Sequence, residues 1–254
     1  MKIYGYIPVR MAASRFPGKP LKKIRGLTML EHVFERSKIY QKWNSLVVTT
    51  CDNEIKKFSH KKNYPCIMTS KSHKRCLDRV YEAAKKTKGI KKNDIVVCVQ
   101  GDEPMITPKM IQKVIEPIKK KKKVKATVLA MRIINKKQFY NKNIVKIIHA
   151  IDGEVLYTSR APIPYYKKFN KNSKARRVGG LFAFRFDFLK KYFHTKPSPL
   201  EILESCDSNR FCDNGGGMYI APVEYSDYFS VDTPSDLKLV SKSLLKDPLF
   251  KYYK

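Results

Sequence analysis

Short apolar runs alternate with helical patterns through roughly the first 130 residues, and this alternation constrains the fold more than any other feature. The apolar runs read as buried strands at residues 3–9, 46–50, 67–68, 95–99 and 127–134, followed by 144–148. Apolar residues at helical spacing fill the gaps at residues 30–40, 77–84 and 106–118. Alternation of this kind indicates βαβ units and predicts an α/β fold with a mainly parallel sheet.

The pattern changes near residue 155. Residues 157–165 are rich in proline and exclude a helix interior, and residues 167–177 are basic and polar, which predicts a mobile segment. A strand at 181–184 and a helix from residue 200 follow. Thr233 and Pro234 are typical of a helix cap and first turn. Because no linker or repeat interrupts the chain, we expect a single domain, residues 1–254, with an excursion near 133–185.

The net charge is unusual. Lys and Arg number 53 against 22 Asp and Glu, which gives +31. Nucleic-acid binding, steering of anionic substrates and simple solvation by lysine are three competing explanations. The lysines are spread along the whole chain, and no compact patch interleaves arginine with aromatic residues. This distribution favours solvation and predicts no nucleic-acid partner.

The six cysteines are scattered and form no C-x-x-C pair. Zinc sites usually need closely spaced ligand pairs, so this spacing argues against a structural zinc. Isolated thiols are typical of a reducing compartment, and we expect a cytoplasmic protein. Residues 1–9 lack the apolar core of a signal peptide, and no apolar run approaches the roughly 20 residues of a membrane span.

Two polar loops follow strands of the predicted parallel sheet, and ligands of such sheets bind at the carboxyl ends of the strands. Residues 8–20 space Arg10, Arg15 and Lys19 around small residues, a combination suited to a polyphosphate, although an ordinary basic surface loop has the same composition. Residues 100–104 place Asp102 after the most apolar strand, where it either holds Mg²⁺ or caps the next helix. Asp232 also follows a β-like run, and spacing alone does not show whether it meets Asp102.

An ordered set of segments runs through almost the whole chain and resembles the CMP-Kdo synthetase family, the 3-deoxy-manno-octulosonate cytidylyltransferases. The matching segments are residues 8–20, 32–36, 50–52, 78–79, 100–104, 143–146, 159–165, 199–201, Arg210 and 231–237. Each segment is weak evidence by itself, but their order along the chain is specific. His73 also lies at a matching position, where a functional role and an ordinary loop histidine remain alternatives.

The resemblance implies a Rossmann-like nucleotidyltransferase core with a mostly parallel mixed sheet and a smaller dimerisation element. It implies that CTP and Mg²⁺ are bound, that CMP is joined to an acidic sugar with release of pyrophosphate, and that the chain is a homodimer. The resemblance also implies which residues bind the nucleotide: Pro8, Arg10, Ala12, Ser14, Arg15, Lys19, Asp78, Arg79 and Gln100. The acceptor residues are Gln100, Arg160, Phe182, Glu201 and Glu204. Asp102 and Asp232 are the magnesium ligands, and Arg10, Lys19 and Asp102 are the catalytic residues.

The chain departs from this family at four places. Arg75-Cys76-Leu77 replaces a common Ser-Gly-Thr, and Val178, Gly180 and Phe182 stand where His-x-Gly-x-Tyr is common. Residues 213–217, Asp-Asn-Gly-Gly-Gly, are unusually rich in residues that favour irregular backbone, and Ser230 replaces a frequent glycine. The phosphate and metal residues are retained while the acceptor residues differ, so the acceptor is Kdo or a modified acid sugar. The alternatives are a related transferase with a phosphonate, polyol phosphate or sugar 1-phosphate acceptor, and a non-enzymatic nucleic-acid binder.

Overall fold

The computed structural model describes residues 1–12, 16–226, 228 and 230–254. The chain begins with β1 (Ile3–Pro8), β2 (Lys23–Ile24), β3 (Leu27–Thr28), α1 (Met29–Lys38), β4 (Ser45–Thr50), α2 (Asn53–Lys61), β5 (Cys66–Met68), α3 (Cys76–Lys86), β6 (Ile95–Val99) and α4 (Pro108–Lys120). It continues with β7 (Ala126–Arg132), α5 (Lys136–Tyr140), β8 (Lys146–His149), β9 (Val155–Ser159), β10 (Arg176–Arg185), α6 (Phe186–His194), α7 (Pro199–Glu204), α8 (Asn209–Asp213), β11 (Met218–Val223) and α9 (Pro234–Leu244). Short 3-10 helices span Lys19–Leu21 and Pro248–Tyr252.

The chain divides into two compact units, Met1–Gln112 with Asp227–Lys254, and Lys113–Ser226. In the first unit β1 pairs in parallel with both β4 and β6, and β4 pairs in parallel with β5. Every residue of β6 is fully buried, as expected for a parallel strand that is covered on both faces. The strand–helix alternation that the sequence showed therefore forms a parallel sheet here.

The second unit mixes strand directions. β7 pairs in parallel with β11 and antiparallel with β10, and β8 pairs antiparallel with both β10 and β9. The register of β10 shifts between Val178 and Phe182, within the stretch where the sequence departs from its relatives. The predicted single domain with an excursion near 133–185 stays a prediction, since these units are compact parts of one chain.

The helix caps follow local sequence closely. Thr233 caps α9, with its side chain accepting from the amide of Asp236, and Pro234 occupies the first turn, as predicted. Asp52 is the residue before α2, but its side chain makes no capping hydrogen bond. Its carboxylate instead accepts from the amide of Met11 over 2.8 Å.

The basic segment at residues 167–177 contains an apolar anchor that the sequence reading missed. Phe169 is 6% exposed and stacks on Phe139 with ring centroids 4.4 Å apart. Ile133, Ala175 and Tyr166 complete this cluster. The mobile segment was predicted from the charge of this stretch. Phe169 was not considered, and it packs the stretch against the rest of its unit.

Candidate active site

The ends of two neighbouring parallel strands form the walls of a cleft in the first unit. Because β1 pairs with β6, residues 8–10 and residues 100–102 emerge side by side at the carboxyl edge of the sheet. They line a cleft of about 260 Å³. The cleft residues are Pro8, Val9, Arg10, Phe16, Lys19, Pro20, His73, Lys74, Arg75, Cys76, Arg79, Gln100, Gly101, Asp102 and Asp232.

Glycine at position 101 allows the two strand ends to approach each other. A Cβ atom on Gly101 would lie 2.1 Å from Cγ1 of Val9 and 2.9 Å from the carbonyl oxygen of Pro8. Any side chain here would push the two loops apart, which would also separate Arg10 from Asp102. The glycine of this loop is therefore a packing requirement of the cleft.

Lys19 lies between the two predicted metal ligands. Its ammonium donates to Oδ2 of Asp102 over 2.9 Å and lies 3.7 Å from Oδ1 of Asp232. It also donates to the carbonyl oxygen of Val231 over 2.9 Å. The side chains are 13%, 29% and 21% exposed for Lys19, Asp102 and Asp232, so the cluster is open to a ligand. The structure thus brings together two carboxylates that are 130 residues apart in sequence.

Backbone hydrogen bonds hold this cluster. The amide of Val231 donates to the carbonyl oxygen of Asp102 over 2.9 Å. The amide of Asp232 donates to Oδ2 of Asp236, the residue that completes the capping box of α9, over 3.0 Å. The alternative role for Asp102, a cap on the following helix, is not observed, because α4 begins only at Pro108.

The donor chemistry of this cluster fits a magnesium ion. Asp102 and Asp232 already converge on a cation, the ammonium of Lys19. Mg²⁺ prefers oxygen ligands and commonly takes one or two carboxylates, with phosphate and water oxygens completing its shell. Within residues 1–12, 16–226, 228 and 230–254, no group of three or more His, Cys, Asp or Glu side chains is arranged to hold a metal. Two carboxylates are therefore what the described part of the chain contributes.

Helix α3 forms another wall of the cleft. His73 contacts Oε2 of Glu82, which also accepts from the amide of Ser70 over 2.9 Å, so the loop before the helix is pinned to it. Arg79 is 3% exposed and donates to Thr69 and to the sulfur of Cys51. It lines the cleft, and these two partners satisfy part of its buried guanidinium group.

The structure gathers most of the predicted nucleotide residues and leaves a few outside the cleft. Pro8, Arg10, Lys19, Arg79, Gln100, Asp102 and Asp232 line it together. Asp78 lies in the first turn of α3, and Ala12 is exposed; neither is a lining residue. Ser14 and Arg15 lie outside the described residues.

Three cleft residues were not named as site residues from the sequence. Lys74 belonged to no matching segment and no departure, whereas Phe16 lay in a matching segment and Cys76 in a departure. Gln100 donates to the sulfur of Cys76 over 3.6 Å. Asp52 belonged to a matching segment, but its task of anchoring the Met11 amide depends on a tertiary contact. Residue type alone does not distinguish it from a helix cap.

The predicted acceptor residues other than Gln100 lie in the second unit. Glu204 accepts from Tyr157 over 2.7 Å, from Ser159 over 2.6 Å and from the amide of Arg160 over 2.9 Å. Arg160 in turn donates through Nε to the carbonyl oxygen of Glu204 over 2.8 Å. These two predicted residues therefore meet and fix each other.

A buried lysine supports the same strand end. Lys146 is fully buried, and its ammonium donates to the carbonyl oxygens of Asn141, Ile144 and Arg160 over 3.0, 2.6 and 2.7 Å. Burial, aided by the nearby charge of Arg160, lowers the pKa of Lys146 to about 8. Lys146 was part of a matching segment, but nothing in the sequence revealed its carbonyl partners.

The geometry of Glu201 and Phe182 favours a structural role over direct sugar contact. Glu201 is fully buried, and its two carboxylate oxygens accept from Nε and Nη2 of Arg210 over 2.6 and 2.7 Å. It also completes the capping box of α7 with Ser198. Phe182 is 3% exposed on β10. Binding a ligand through Glu201 would require breaking a buried ion pair.

The chain belongs to the cytidylyltransferase family, whose model matches residues 5–220. A 3-deoxy-manno-octulosonate cytidylyltransferase of Nitratidesulfovibrio vulgaris is 35% identical over 240 residues, which cover 93% of this chain and 94% of the relative. One of Geobacter metallireducens is 34% identical over 254 residues, covering 96% and 98%. The solved structure of a CMP:2-keto-3-deoxy-manno-octonic acid synthetase complexed with CTP matches with a TM-score of 0.86 at 28% identity, covering 97% of this chain and 99% of that one.

These matches confirm the predicted family and the predicted fold class. The α/β fold with a mixed, mostly parallel sheet is that of the matched synthetase structure. They do not test the site residues, which therefore remain predictions supported by the geometry of the cleft.

The Glu82 carboxylate provides a test of the cleft wall. Partial burial raises the pKa of Glu82, but hydrogen bonds from Lys86, the Ser70 amide and His73 outweigh it and lower the pKa from 4.5 to about 2. Ionised Glu82 therefore stabilises the fold above pH 4.5, and this contribution to the free energy of unfolding disappears as the pH falls toward 2. We expect Glu82→Gln to unfold at lower urea concentration near neutral pH, with the difference from wild type closing through that window.

The matched control is Glu224→Gln, at a side chain that is 73% exposed. Its difference from wild type is expected to be small throughout the titration, because exposed ion pairs contribute little. If Glu82→Gln remained as much less stable than wild type at the lowest pH as it is near neutral pH, the charge of Glu82 would not be what holds the loop.

Glu201→Ala separates a structural role from a sugar contact. The substitution leaves the charge of Arg210 buried without its partner, which costs about 3–5 kcal/mol of unfolding free energy. Urea denaturation measures this, with Glu54→Ala on the exposed first turn of α2 as the control. Wild-type stability combined with a raised KM for the sugar would instead restore Glu201 to the acceptor site.

Proposed function

We propose that this chain transfers CMP from CTP to Kdo, or to a closely related 3-deoxy acid sugar, and releases pyrophosphate. The observation that carries the proposal is the convergence of Lys19, Asp102 and Asp232 at the carboxyl edge of a parallel sheet. Full-length relatives at about 35% identity are named for the same reaction.

Phosphoryl transfer of this kind depends on positioning and charge neutralisation. The sugar hydroxyl attacks the α-phosphorus while pyrophosphate leaves in line, so negative charge collects on phosphate oxygens. Arg10 is exposed at the mouth of the cleft and Lys19 lies inside it, and both offer positive charge to the triphosphate. Arg15 is proposed for the same task on the strength of the resemblance.

Asp102 and Asp232 would hold Mg²⁺, which supplies charge neutralisation to the phosphates when bound. With the two carboxylates holding such an ion, the ammonium of Lys19 would offer its charge to the pyrophosphate oxygens. Its hydrogen bond to the carbonyl oxygen of Val231 places the lysine side chain in the cleft. The proton of the attacking hydroxyl passes to a pyrophosphate oxygen or to water, and we assign no histidine as its base.

The nucleotide base is proposed to lie against the loop before α3. His73, Lys74, Arg75 and Cys76 line this part of the cleft. Arg75-Cys76 replaces smaller residues common in the family, so this wall is bulkier and more cationic than the resemblance alone predicts. CTP is the proposed nucleotide, and competition with UTP in the assay below tests that preference.

The acceptor is proposed to be anionic and to be bound by Arg160 of the second unit, and Gln100 remains an acceptor residue predicted from the resemblance. Arg160 is held by Glu204 and presents a fixed cation suited to a sugar carboxylate. Val178 and Phe182 on β10 lack the imidazole and the phenolic hydroxyl common at these positions in the family. A changed hydroxyl pattern on the acceptor, such as an amino-substituted Kdo, is consistent with this loss, since sites built to hydrogen-bond a hydroxyl discriminate strongly.

The cellular setting follows from the substrates. Activation of an acidic sugar with CTP is a step toward lipopolysaccharide or another surface polysaccharide, and we place it in the cytoplasm. No helix within the described residues has the length and apolar character needed to cross a membrane. The six cysteines are free thiols. We assign no nucleic-acid partner, because the sequence shows no compact basic and aromatic patch.

We expect this reaction to be detected as pyrophosphate release from CTP, Mg²⁺ and Kdo. Asp102→Asn is expected to lower kcat by at least about 100-fold, because it removes a carboxylate that holds the charge-neutralising ion. Asp152→Asn is the control, at a carboxylate that is 47% exposed and paired with Lys123. An amino-substituted Kdo, a sugar 1-phosphate and a polyol phosphate complete the acceptor panel.

Each outcome of this panel decides something. Release with an acid sugar that Asp102→Asn abolishes supports the proposal and identifies the acceptor. Release only with a phosphorylated acceptor would replace it with the alternative transferase. Absence of CTP binding would contradict the proposal altogether.

The homodimer is proposed from exposed apolar side chains in the predicted excursion. Tyr140, Leu156 and Tyr165 are 52%, 56% and 87% exposed. Sedimentation is expected to show twice the 29.5 kDa chain mass. Leu156→Glu should shift the equilibrium toward monomer, whereas Leu239→Glu, at an exposed leucine of α9 in the other unit, should not. A 29.5 kDa species at all concentrations of the wild type would contradict the dimer.

A further inference from the structure

Two loops carry the carboxylates of the cleft, and side-chain and backbone hydrogen bonds join them. Oγ of Ser230 donates to Oε1 of Glu103 over 2.7 Å. The amide of Val231 donates to the carbonyl oxygen of Asp102 over 2.9 Å. Glu103 directly follows Asp102 in sequence, and Ser230 lies two residues before Asp232. The first bond therefore lies one or two residues from the predicted metal ligands, and the second is accepted by one of those ligands itself.

Glu103 is a firm attachment point for this contact. Its side chain is 2% exposed, and a buried carboxylate is costly unless hydrogen bonds satisfy it. Its backbone is fixed within a turn, where its amide donates to the carbonyl oxygen of Gln100 and its own carbonyl oxygen accepts from Ile106, both over 3.2 Å. A hydroxyl bonded to this carboxylate is therefore held at a defined place relative to Asp102.

The need for such a contact follows from charge. Asp102 and Asp232 repel each other, and Lys19 offsets that repulsion by lying between them. A divalent cation held by both carboxylates would displace the ammonium from between them. The Ser230–Glu103 and Val231–Asp102 hydrogen bonds do not involve the ammonium, so they can hold the two loops whichever cation lies there.

We propose that the hydrogen bond from Ser230 to Glu103, hereafter the clasp, presets the spacing of Asp102 and Asp232 and thereby sets the affinity for the divalent cation. Ser230 and Glu103 act as positioning residues, since they work through the two aspartates. The inference rests on the proposed function only through the assignment of Asp102 and Asp232 as cation ligands.

The test is a titration of the full chain with Mn²⁺ alone, in which electron paramagnetic resonance reports the unbound ion. Ser230→Ala removes the donor of the clasp, and Ser230→Thr retains a hydroxyl. Ser235→Ala is the control, because that exposed hydroxyl lies in the first turn of α9 and bonds the side chain of Thr233. We expect Ser230→Ala to raise the Kd for Mn²⁺ about tenfold, in keeping with a hydrogen bond to a charged group. Ser230→Thr should recover most of that affinity, and Ser235→Ala should match wild type.

A second readout separates positioning from general structure. Ser230→Ala should raise the Mn²⁺ concentration needed for half-maximal pyrophosphate release, with kcat at saturating Mn²⁺ and Tm both near wild type. Wild-type Mn²⁺ affinity in Ser230→Ala would overturn the inference. A fall in Tm that Ser230→Thr shares, with no recovery of affinity, would overturn it as well.

The Mn²⁺ titration needs neither nucleotide nor acceptor, so it remains decisive if the transfer assay fails. Binding that Asp102→Asn abolishes and Ser230→Ala weakens would support the clasp even then. Wild-type chain that binds no Mn²⁺ through Asp102 would remove its basis.

Discussion

The parallel pairing of β1 with β6 is the constraint on which the cleft depends. Parallel neighbours end at the same edge of a sheet, so residues 8–10 and 100–102 emerge side by side as a result of strand pairing alone. Complete burial of β6 fixes this pairing, and Gly101 permits the close approach that follows from it. The pairing of the backbone strands thus brings the functional residues of the cleft together, and ion pairs such as Lys19–Asp102 then set their detailed positions.

Local signals in the sequence predicted most elements of the first unit, because caps and apolar periodicity act within a few residues, but they missed β9, α6 and β11 in the second unit. Thr233 and Pro234 marked the start of α9, and the apolar run at residues 95–99 marked β6 to the residue. The charged loops at the sheet edge were also predictable, since strand direction decides where they lie. Family resemblance added the identity of the reaction, which no local pattern contains.

Contacts between residues that are far apart in sequence could not be predicted, because the chemistry of a side chain does not reveal which partner it will contact in the fold. Glu201 had the appearance of a ligand residue until Arg210 was found against it, and Asp52 had the appearance of a cap until the Met11 amide was found there. Phe169 was hidden within a basic stretch, and the hydrogen bond from Ser230 to Glu103 spans 127 residues. In each case the deciding fact is a tertiary neighbour.

The ion pairs of Lys19 stabilise the empty cleft between turnovers. Since an ammonium from the chain itself stands between Asp102 and Asp232, the loops keep their shape when no ion is present. A divalent cation at the proposed site would therefore be needed for the reaction and not for the fold. Removal of that ion is expected to stop turnover while the protein stays folded, and its return is expected to restore activity without refolding.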